Sequence, residues 1–306
     1  MCIRDRLGGW RGQLWLDADD WEAGWNERLA YPRPLATLFA WQEPWCLAHA
    51  DRVTAASRWL AAYAVSVRRC SAHQAECRTC SAARHANGWS CPADAQVVHL
   101  PNGVDRVSVN SGAATSKPDP PRLLLYTRFV EVTPARIVRV WAQVVRQAPG
   151  ARLIVVGDQT PGGRFDRPFD VSPAAALQAL ADAAGLAASI IVLGWTPAGA
   201  LPGVLAAADV AWIPLADAAI NRARCSAKLV ELLAAGLPVV ADEVGEAATY
   251  IRPGVNGMLI PPGADALTVQ ALCRLLTDRT YARSLGQAAA QRAAREFRWD
   301  TLVERL

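Results

Sequence analysis

Short apolar runs alternate with longer amphipathic segments after residue 121, and this alternation limits the possible fold more than any other feature of the sequence. Runs of four or five apolar residues predict buried strands, whereas apolar residues at helical spacing predict helices. Strands that are apolar on both faces are typical of a parallel sheet covered by helices on both sides, so the pattern predicts a Rossmann-like α/β domain. We expect strands at 123–127, 152–156, 190–193, 210–213, 238–241 and 256–260, and helices at 135–147, 173–184, 264–277 and from Lys228 to a stop at Gly236.

The first hundred residues carry a weaker pattern. We expect a buried strand followed by a carboxylate-rich turn at 13–20, a helix with a small-residue face at 51–65, and a strand at 96–100. Seven of the 12 tryptophans precede residue 60, and packing in a core is their expected role. The polar, proline-terminated stretch 108–121 predicts a linker between this region and the α/β domain.

Composition excludes several classes of protein. A chain of 306 residues with 52% apolar and 20% charged residues is typical of a globular protein with about two domains. The net charge of +4 is too small to indicate nucleic-acid binding. No uncharged apolar run reaches 18 residues, so no transmembrane segment is predicted. Because the first residues resemble no signal peptide, we expect a cytoplasmic location, with peripheral membrane association left open.

The segment from Lys228 to Ala241 carries the clearest chemical signal. Lys228 and Glu231 lie three residues apart and therefore share one face of a first helical turn. A helix N-terminus offers unpaired N–H groups and a partial positive charge, to which Lys228 adds a full charge. This combination suits a diphosphate, with Glu231 accepting hydrogen bonds from a sugar hydroxyl. The alternative is a core helix whose polar first turn merely faces solvent.

Several motifs occur in a fixed order along the chain. They are Ala-Asp-Arg-Val-Thr-Ala-Ala-Ser at 50–57, Pro-Asn-Gly-Val-Asp at 101–105, Leu-Leu-Tyr-Thr-Arg at 124–128, Arg-Leu-Ile-Val-Val-Gly-Asp at 152–158, Ala-Asp-Val-Ala-Trp-Ile-Pro at 208–214, Lys-Leu-Val-Glu at 228–231 with Ala-Gly-Leu-Pro-Val-Val at 235–240, and Gly-Val-Asn-Gly-Met-Leu-Ile-Pro-Pro-Gly at 254–263. This series resembles the GT-B glycosyltransferases of retaining family 4, also called group 1. The resemblance spans residues 45–306.

The resemblance implies two Rossmann-like domains with the donor nucleotide-sugar in the cleft between them. The glycine-rich loop that opens the family's N-terminal domain has no counterpart in this sequence. We therefore expect 1–107 to be the remnant of that acceptor-side domain, with the N-terminal domain incomplete. The linker 108–121 then leads into the nucleotide-sugar-binding domain at 122–285, and a C-terminal helix at 286–306 packs back toward the N-terminal domain.

Carried over residue by residue, the resemblance implies a donor site on the C-terminal domain. Arg128, Lys228 and Arg224 would bind the diphosphate, since a guanidinium can hold two phosphate oxygens at once. Glu231 would bind the ribose, and Gly157 and Gly245 would let the backbone approach the ligand. The family's motifs contain no protein nucleophile, so the catalytic residue stays unknown, and no cofactor or metal is required for catalysis.

Three positions depart from the family. Thr127 stands where a glycine often precedes the arginine. Pro134 stands where a lysine is common six residues after that arginine, so a positive charge is missing, and Arg224 or Arg222 is its candidate replacement. Ala223 stands where many members carry a glutamate that contacts the donor sugar, for which Asp217 and Asn221 are candidate substitutes.

The implied function is transfer of a sugar from a nucleoside-diphosphate donor to a glycan, lipid or small-molecule acceptor, with retention of anomeric configuration. The base, the sugar and the acceptor are not determined by the sequence. One alternative is a non-catalytic binding or scaffold protein of the same fold, which Ala223 and Pro134 favour. Another is a nucleotide-sugar 2-epimerase, against which the Asn-Gly-Val-Asp and Lys-x-x-Glu motifs argue.

A cysteine-rich insert spans 70–91. It contains half of the eight cysteines, and one pair has the Cys-x-x-Cys spacing of zinc ligands. A structural zinc site, free thiols and disulfides are all compatible with this arrangement, and disulfides are least suited to the cytoplasm. The candidate ligands are Cys70, Cys77, Cys80 and Cys91, whereas Cys46, Cys225 and Cys273 are expected to be small core residues.

Overall fold

The computed structural model describes residues 13–29, 31–74, 97–105, 120–157 and 172–306. The chain divides into two compact units. The first comprises Met1–Pro101, Arg222–Cys225 and Arg305–Leu306, and the second Asn102–Asn221 and Ser226–Glu304. The division falls at residue 101 rather than 107, and most of the expected linker lies outside the described residues. Residues 286–304, which we expected to pack toward the N-terminal domain, are grouped with the second unit.

The described part of the first unit is a three-stranded parallel sheet with helices, in the strand order β1-β2-β3. A core of Leu47, Val53 and Ala64 packs between sheet and helices. The elements are β1 Trp15–Ala18, α1 Glu22–Leu29, α2 Arg33–His49, β2 Arg52–Ala55, α3 Arg58–Gln74 and β3 Val97–His99.

The helix expected at 51–65 is wrong in its first half. Arg52–Ala55 forms β2, hydrogen-bonded to β1 on one side and β3 on the other, and the helix begins only at Arg58. Ser57 accepts a hydrogen bond from the Leu60 N–H at 3.0 Å, which marks the true helix start. Val53 and Thr54 favour a strand whereas Arg52 and Ala55 favour a helix, and pairing with two strands decides between them.

The tryptophans of the first unit only partly enter a core. Trp21 and Trp59 are half-buried with ring centroids 4.8 Å apart, but Trp15 and Trp41 are 42% and 55% exposed. The expectation that the tryptophans form the core therefore holds for only some of them.

The second unit contains a six-stranded parallel sheet in the order β6-β5-β4-β7-β8-β9, as the sequence pattern predicts. Its interior is apolar, with Trp141 and Trp212 almost completely buried. The elements are β4 Arg122–Tyr126, α4 Pro134–Gln147, β5 Arg152–Val156, α5 Pro173–Ala183, a 3-10 turn at Ala187–Ser189, β6 Ile190–Gly194, α6 Leu201–Ala207, β7 Val210–Ile213, α7 Ala219–Ala223, α8 Ala227–Ala234, β8 Val239–Asp242, α9 Ala247–Tyr250, β9 Met258–Ile260, α10 Asp265–Thr277, α11 Arg279–Glu296 and α12 Trp299–Val303.

The final predicted helix is in fact two helices. The break lies at Phe297 and Arg298, where the backbone of Arg298 pairs with that of Val104 in a short parallel bridge. The Val104 N–H donates to the Phe297 carbonyl at 2.9 Å, and the Trp299 N–H donates to the Val104 carbonyl at 3.2 Å. Hydrogen bonding to a residue almost 200 positions earlier therefore ends the helix, and no local signal announces it.

Within the described part of the chain, every helix is too short or too polar to span a lipid bilayer.

Replacing Gly286 with alanine is expected to lower the free energy of unfolding by about 1–2 kcal/mol, although alanine is the better helix former. A Cβ on Gly286 would lie 2.2 Å from the carbonyl oxygen of Gly236, so α11 would have to move away from the end of α8. Chemical denaturation measures the effect.

The matched control is Gly203→Ala in α6, where the added methyl meets no atom within 4 Å among the described residues. This change should raise stability by about 0.5 kcal/mol, because only the helix preference changes. An equal increase in the free energy of unfolding for Gly286→Ala would show that the contact with Gly236 is not tight.

Candidate functional site

A small pocket, partly open to solvent, lies at the carboxyl ends of β4 and β7. The chain runs outward from β4 through β5 to β6, and then continues on the opposite side of β4 with β7. The gap between β4 and β7 is therefore the point where the strand order reverses, which is where parallel α/β sheets bind ligands. The lining residues are Tyr126, Thr127, Glu131, Ile213, Pro214, Leu215, Ser226 and Lys228.

Lys228 lies in this pocket, one residue into α8. Its ammonium nitrogen is 2.8 Å from Oε1 of Glu131 and 5.4 Å from the centre of the Tyr126 ring. The side chain is 15% exposed and that of Glu131 is 9% exposed, so this is a largely desolvated ion pair. The sequence predicted Lys228 but did not predict its carboxylate partner.

Glu131 is the centre of the loop that follows β4. Its Oε2 accepts hydrogen bonds from the Thr127 hydroxyl at 3.0 Å and from the Arg128 N–H at 3.3 Å. The Thr127 hydroxyl in turn accepts from the N–H of Phe129, a non-glycine residue with φ +58°. The bonds made by Thr127 and Glu131 therefore hold this tight backbone in place. A glutamate three residues after Arg128 was the only sequence signal for this role.

Arg128 directly follows Thr127 at the carboxyl end of β4, and its side chain is exposed. Its backbone N–H is fixed by Glu131, the same residue that holds Lys228. One carboxylate therefore connects the two residues that the sequence singled out for diphosphate binding.

Glu231 follows one turn after Lys228 on α8. The residue is exposed, yet protein atoms around its carboxyl group remove hydrating water and raise its pKa, against the opposing effect of the Lys228 charge. Burial, together with the charge of Glu231, also raises the pKa of the Tyr126 hydroxyl. Three side chains at the pocket therefore influence one another electrostatically: the carboxylate of Glu231, the ammonium of Lys228 and the ring of Tyr126.

Gly157 and Gly245 both have positive φ, at +100° and +57°. Gly157 ends β5 beside the loop of Arg128, and its N–H donates to the Gly194 carbonyl at 2.7 Å. A Cβ on Gly157 would lie 2.1 Å from the Thr127 carbonyl oxygen. Packing within the protein therefore already requires glycine here, whether or not a ligand also approaches it.

The remaining candidates lie between β7 and α8. Arg224 and Arg222 are grouped with the first unit, and the Arg224 guanidinium lies 5.4 Å from the centre of the Trp25 ring. Asn221 is 3% exposed, and its amide nitrogen donates to the Ala216 carbonyl at 2.8 Å. Its buried amide oxygen has no hydrogen-bond partner among the described residues. Asp217 is exposed.

Asp242, at the end of β8, binds the backbone of the loop that lines the pocket. It is 1% exposed and receives two hydrogen bonds from the Arg136 guanidinium, at 2.6 and 3.0 Å. Its Oδ2 also accepts from the N–H of Leu215, which lines the pocket, at 2.7 Å. Arg136 extends the network to Asp265 at 2.9 Å. The buried carboxylate thus fixes the backbone of the loop after β7.

The proposed zinc ligands Cys77, Cys80 and Cys91 lie outside the described residues, as does the side chain of Cys70 at the end region of α3. In the described ranges, no group of three or more His, Cys, Asp or Glu side chains is arranged to hold a metal ion. Cys46, Cys225 and Cys273 are buried, as expected of small core residues.

A family model described as "Glycosyl transferases group 1" matches residues 121–278, just over half of the chain. The D-inositol 3-phosphate glycosyltransferase of Nocardia farcinica is 31% identical over 175 residues, a match that covers 56% of this chain and 36% of that protein. The chain therefore spans only about a third of the length of this relative.

Two solved structures share the fold. Sucrose-phosphate synthase from Thermosynechococcus elongatus superimposes with a TM-score of 0.68 at 21% identity, over 98% of this chain and 67% of that chain. Anabaena HepE, solved in complex with UDP-glucose, gives a TM-score of 0.61 at 18% identity, over 95% of this chain and 70% of that chain. The α/β class and the GT-B type of fold are confirmed. Together with the family match over the unit that contains the pocket, this shows that the chain belongs to the group 1 glycosyltransferases, a family of transferase enzymes.

Proposed function

We propose that this chain transfers a glycosyl group from a nucleoside-diphosphate-sugar donor to an acceptor, with retention of anomeric configuration. The observation that carries the proposal is the position of Lys228 at the start of α8, in a pocket at the point where the strand order reverses. Arg128 follows the neighbouring strand β4 at the same edge of the sheet. HepE, which shares the fold, is known in complex with UDP-glucose, and a donor of that class suits this pair of cations.

Lys228 and the N-terminus of α8 would bind the diphosphate. The side chain of Ser226 does not cap this helix, and the N-terminal end of a helix favours phosphate oxygens. As the bond between the anomeric carbon and the diphosphate oxygen breaks, negative charge grows on the leaving group, and Lys228 and Arg128 stabilise it. The acceptor oxygen forms the new bond to the anomeric carbon, and its proton passes to the leaving diphosphate. No protein side chain is assigned as the catalytic base.

Glu231 would accept hydrogen bonds from the ribose hydroxyls. Its place one turn after Lys228 puts it beside the proposed diphosphate position, and in its ionised form both carboxylate oxygens accept hydrogen bonds. For the sugar, Asp217 and Asn221 are our candidate contacts in place of the family's glutamate at Ala223. Uridine, guanosine and adenosine donors are all compatible with these groups, and so is a glycan, lipid or small-molecule acceptor.

A second candidate function is binding without catalysis. Ala223 and Pro134 favour it, because they stand where the family often carries a glutamate that contacts the sugar and a lysine that contacts the diphosphate. Release of nucleoside diphosphate from the donor, measured over time, separates a transferase from a binding protein.

Replacing Arg128 or Lys228 with alanine is expected to weaken nucleoside-diphosphate binding by about 1.5–3 kcal/mol, or roughly 10- to 150-fold. Each change removes a charged group from the proposed diphosphate position. Calorimetric titration with UDP, GDP and ADP in separate runs measures the effect and identifies the base.

The control is Arg139→Ala, which removes an exposed arginine of α4 that binds Asp265 at 2.6 Å away from the pocket. Its nucleotide affinity should equal that of the unmodified chain. Equal affinity in Arg128→Ala and Lys228→Ala as well would contradict the proposed site.

A further inference from the structure

We infer that Glu131 competes with the diphosphate for Lys228, and thereby weakens the binding of the nucleoside diphosphate that transfer leaves behind. This inference rests on the proposed function, since it assigns a role within the same donor site. Glu131 is the residue that we expect to set the affinity for the diphosphate and the rate of product release.

The geometry places the Glu131 carboxylate where a phosphate oxygen would bind. Its Oε1 lies 2.8 Å from the Lys228 nitrogen, the distance of a charge-assisted hydrogen bond and the distance that a phosphate oxygen would adopt. Three groups donate hydrogen bonds to its two oxygens: Thr127 Oγ, the Arg128 N–H and Lys228 Nζ. An ionised carboxylate accepts only, so the environment is that of a full negative charge.

Glu131 cannot readily turn away from the site. It is 8% exposed, its second oxygen is held by Thr127 and the Arg128 N–H, and its own carbonyl accepts from the Ala216 N–H at 2.9 Å. A diphosphate must therefore either share Lys228 with this carboxylate or displace it. In both cases the carboxylate and the diphosphate lie close together in a partly desolvated site. Their repulsion lowers the affinity for the diphosphate.

This repulsion distinguishes donor from product. In the donor, both phosphates are esterified, whereas cleavage leaves a terminal phosphate with an additional negative charge. The charge of Glu131 therefore opposes the product more strongly than the donor. Re-formation of the ion pair between Glu131 and Lys228 as the diphosphate leaves would assist product release, a step that limits the turnover rate of many enzymes.

The test is titration of the 306-residue chain with inorganic pyrophosphate and with UDP, GDP and ADP, before and after Glu131→Gln. Glutamine keeps the size of the side chain and an oxygen that can accept from Lys228, but it removes the charge. We expect pyrophosphate and nucleoside-diphosphate affinity to rise about tenfold. The gain should disappear in the double variant Glu131→Gln with Lys228→Ala, because the competition acts through Lys228.

Glu304→Gln is the matched control. It removes one negative charge from an exposed glutamate that does not line the pocket, so a change of net charge alone should not raise affinity. If circular dichroism shows that Glu131→Gln does not fold, Glu131→Asp replaces it in the titration. The shorter side chain draws the carboxylate away from Lys228, and a smaller gain of about two- to threefold is expected.

The outcomes separate this inference from the proposed function. Unchanged or weaker binding after Glu131→Gln, with normal nucleotide binding by the original chain, overturns the inference alone. Absence of diphosphate binding in both proteins overturns both. Tighter pyrophosphate binding in Glu131→Gln, with no preference for any nucleotide over pyrophosphate, supports competition at Lys228 and contradicts a nucleotide-sugar site.

Discussion

Replacing Asp242 with alanine is expected to lower the free energy of unfolding of the second unit by about 3–5 kcal/mol, the usual effect of breaking a buried ion pair. The change leaves the Arg136 guanidinium, itself 12% exposed, without its two hydrogen bonds to this carboxylate. It also leaves the Leu215 N–H without its acceptor. Desolvation by itself lowers the pKa of Arg136, but the hydrogen bonds and charges of Asp242 and Asp265 outweigh it and raise the pKa above its usual value.

Chemical denaturation of Asp242→Ala beside Arg139→Ala provides the measurement. Arg139 binds Asp265 in the same network, but its side chain is 59% exposed, so its loss should cost less than about 1 kcal/mol. Because Leu215 lines the pocket, Asp242→Ala should also weaken nucleotide binding, whereas Arg139→Ala should not. Similar losses of stability in the two variants would show that burial of Asp242 does not determine the strength of the pair.

Replacing Gly157 with alanine is expected to lower the free energy of unfolding by about 2–4 kcal/mol. Two costs add at this position. The backbone has φ +100°, which side chains rarely adopt, and the new Cβ would lie 2.1 Å from the Thr127 carbonyl oxygen. Since a backbone oxygen cannot rotate away, β5 and the end of β4 must separate. Thr127 binds Glu131, so the displacement should also weaken nucleotide binding.

The control for Gly157→Ala is Gly150→Ala. Gly150 has a similar φ of +90°, but an added Cβ meets no atom within 4 Å in the described structure. This variant therefore isolates the cost of the backbone conformation, about 1 kcal/mol, from the cost of the contact. Thermal or urea denaturation of both variants measures the difference between their free energies of unfolding. Equal losses at the two positions would mean that Thr127 moves aside freely.

The sequence predicted every strand of the second unit to within about two residues. Local signals suffice there, because each strand is a short apolar run and several helix ends carry explicit caps. Thr133 and Ser172 accept the Arg136 and Ala175 N–H groups, and Gly185 and Gly236 take positive φ at helix ends. The same signals failed at Arg52–Ala55, where Val53 and Thr54 favour a strand but Arg52 and Ala55 favour a helix.

For the candidate site, the sequence by itself selected Lys228 and Glu231, since charge in a first helical turn is visible in the order of residues, and the family resemblance added Arg128. Only the tertiary structure decided that Lys228 meets Glu131, 97 positions earlier, and that Arg136 meets Asp242, 106 positions later. The strand order β5-β4-β7-β8 brings these pairs together, and no periodicity records it. Patterns of hydrophobicity and capping act over a few residues and fix the elements, whereas contacts between distant carboxylates and cations depend on which strands become neighbours.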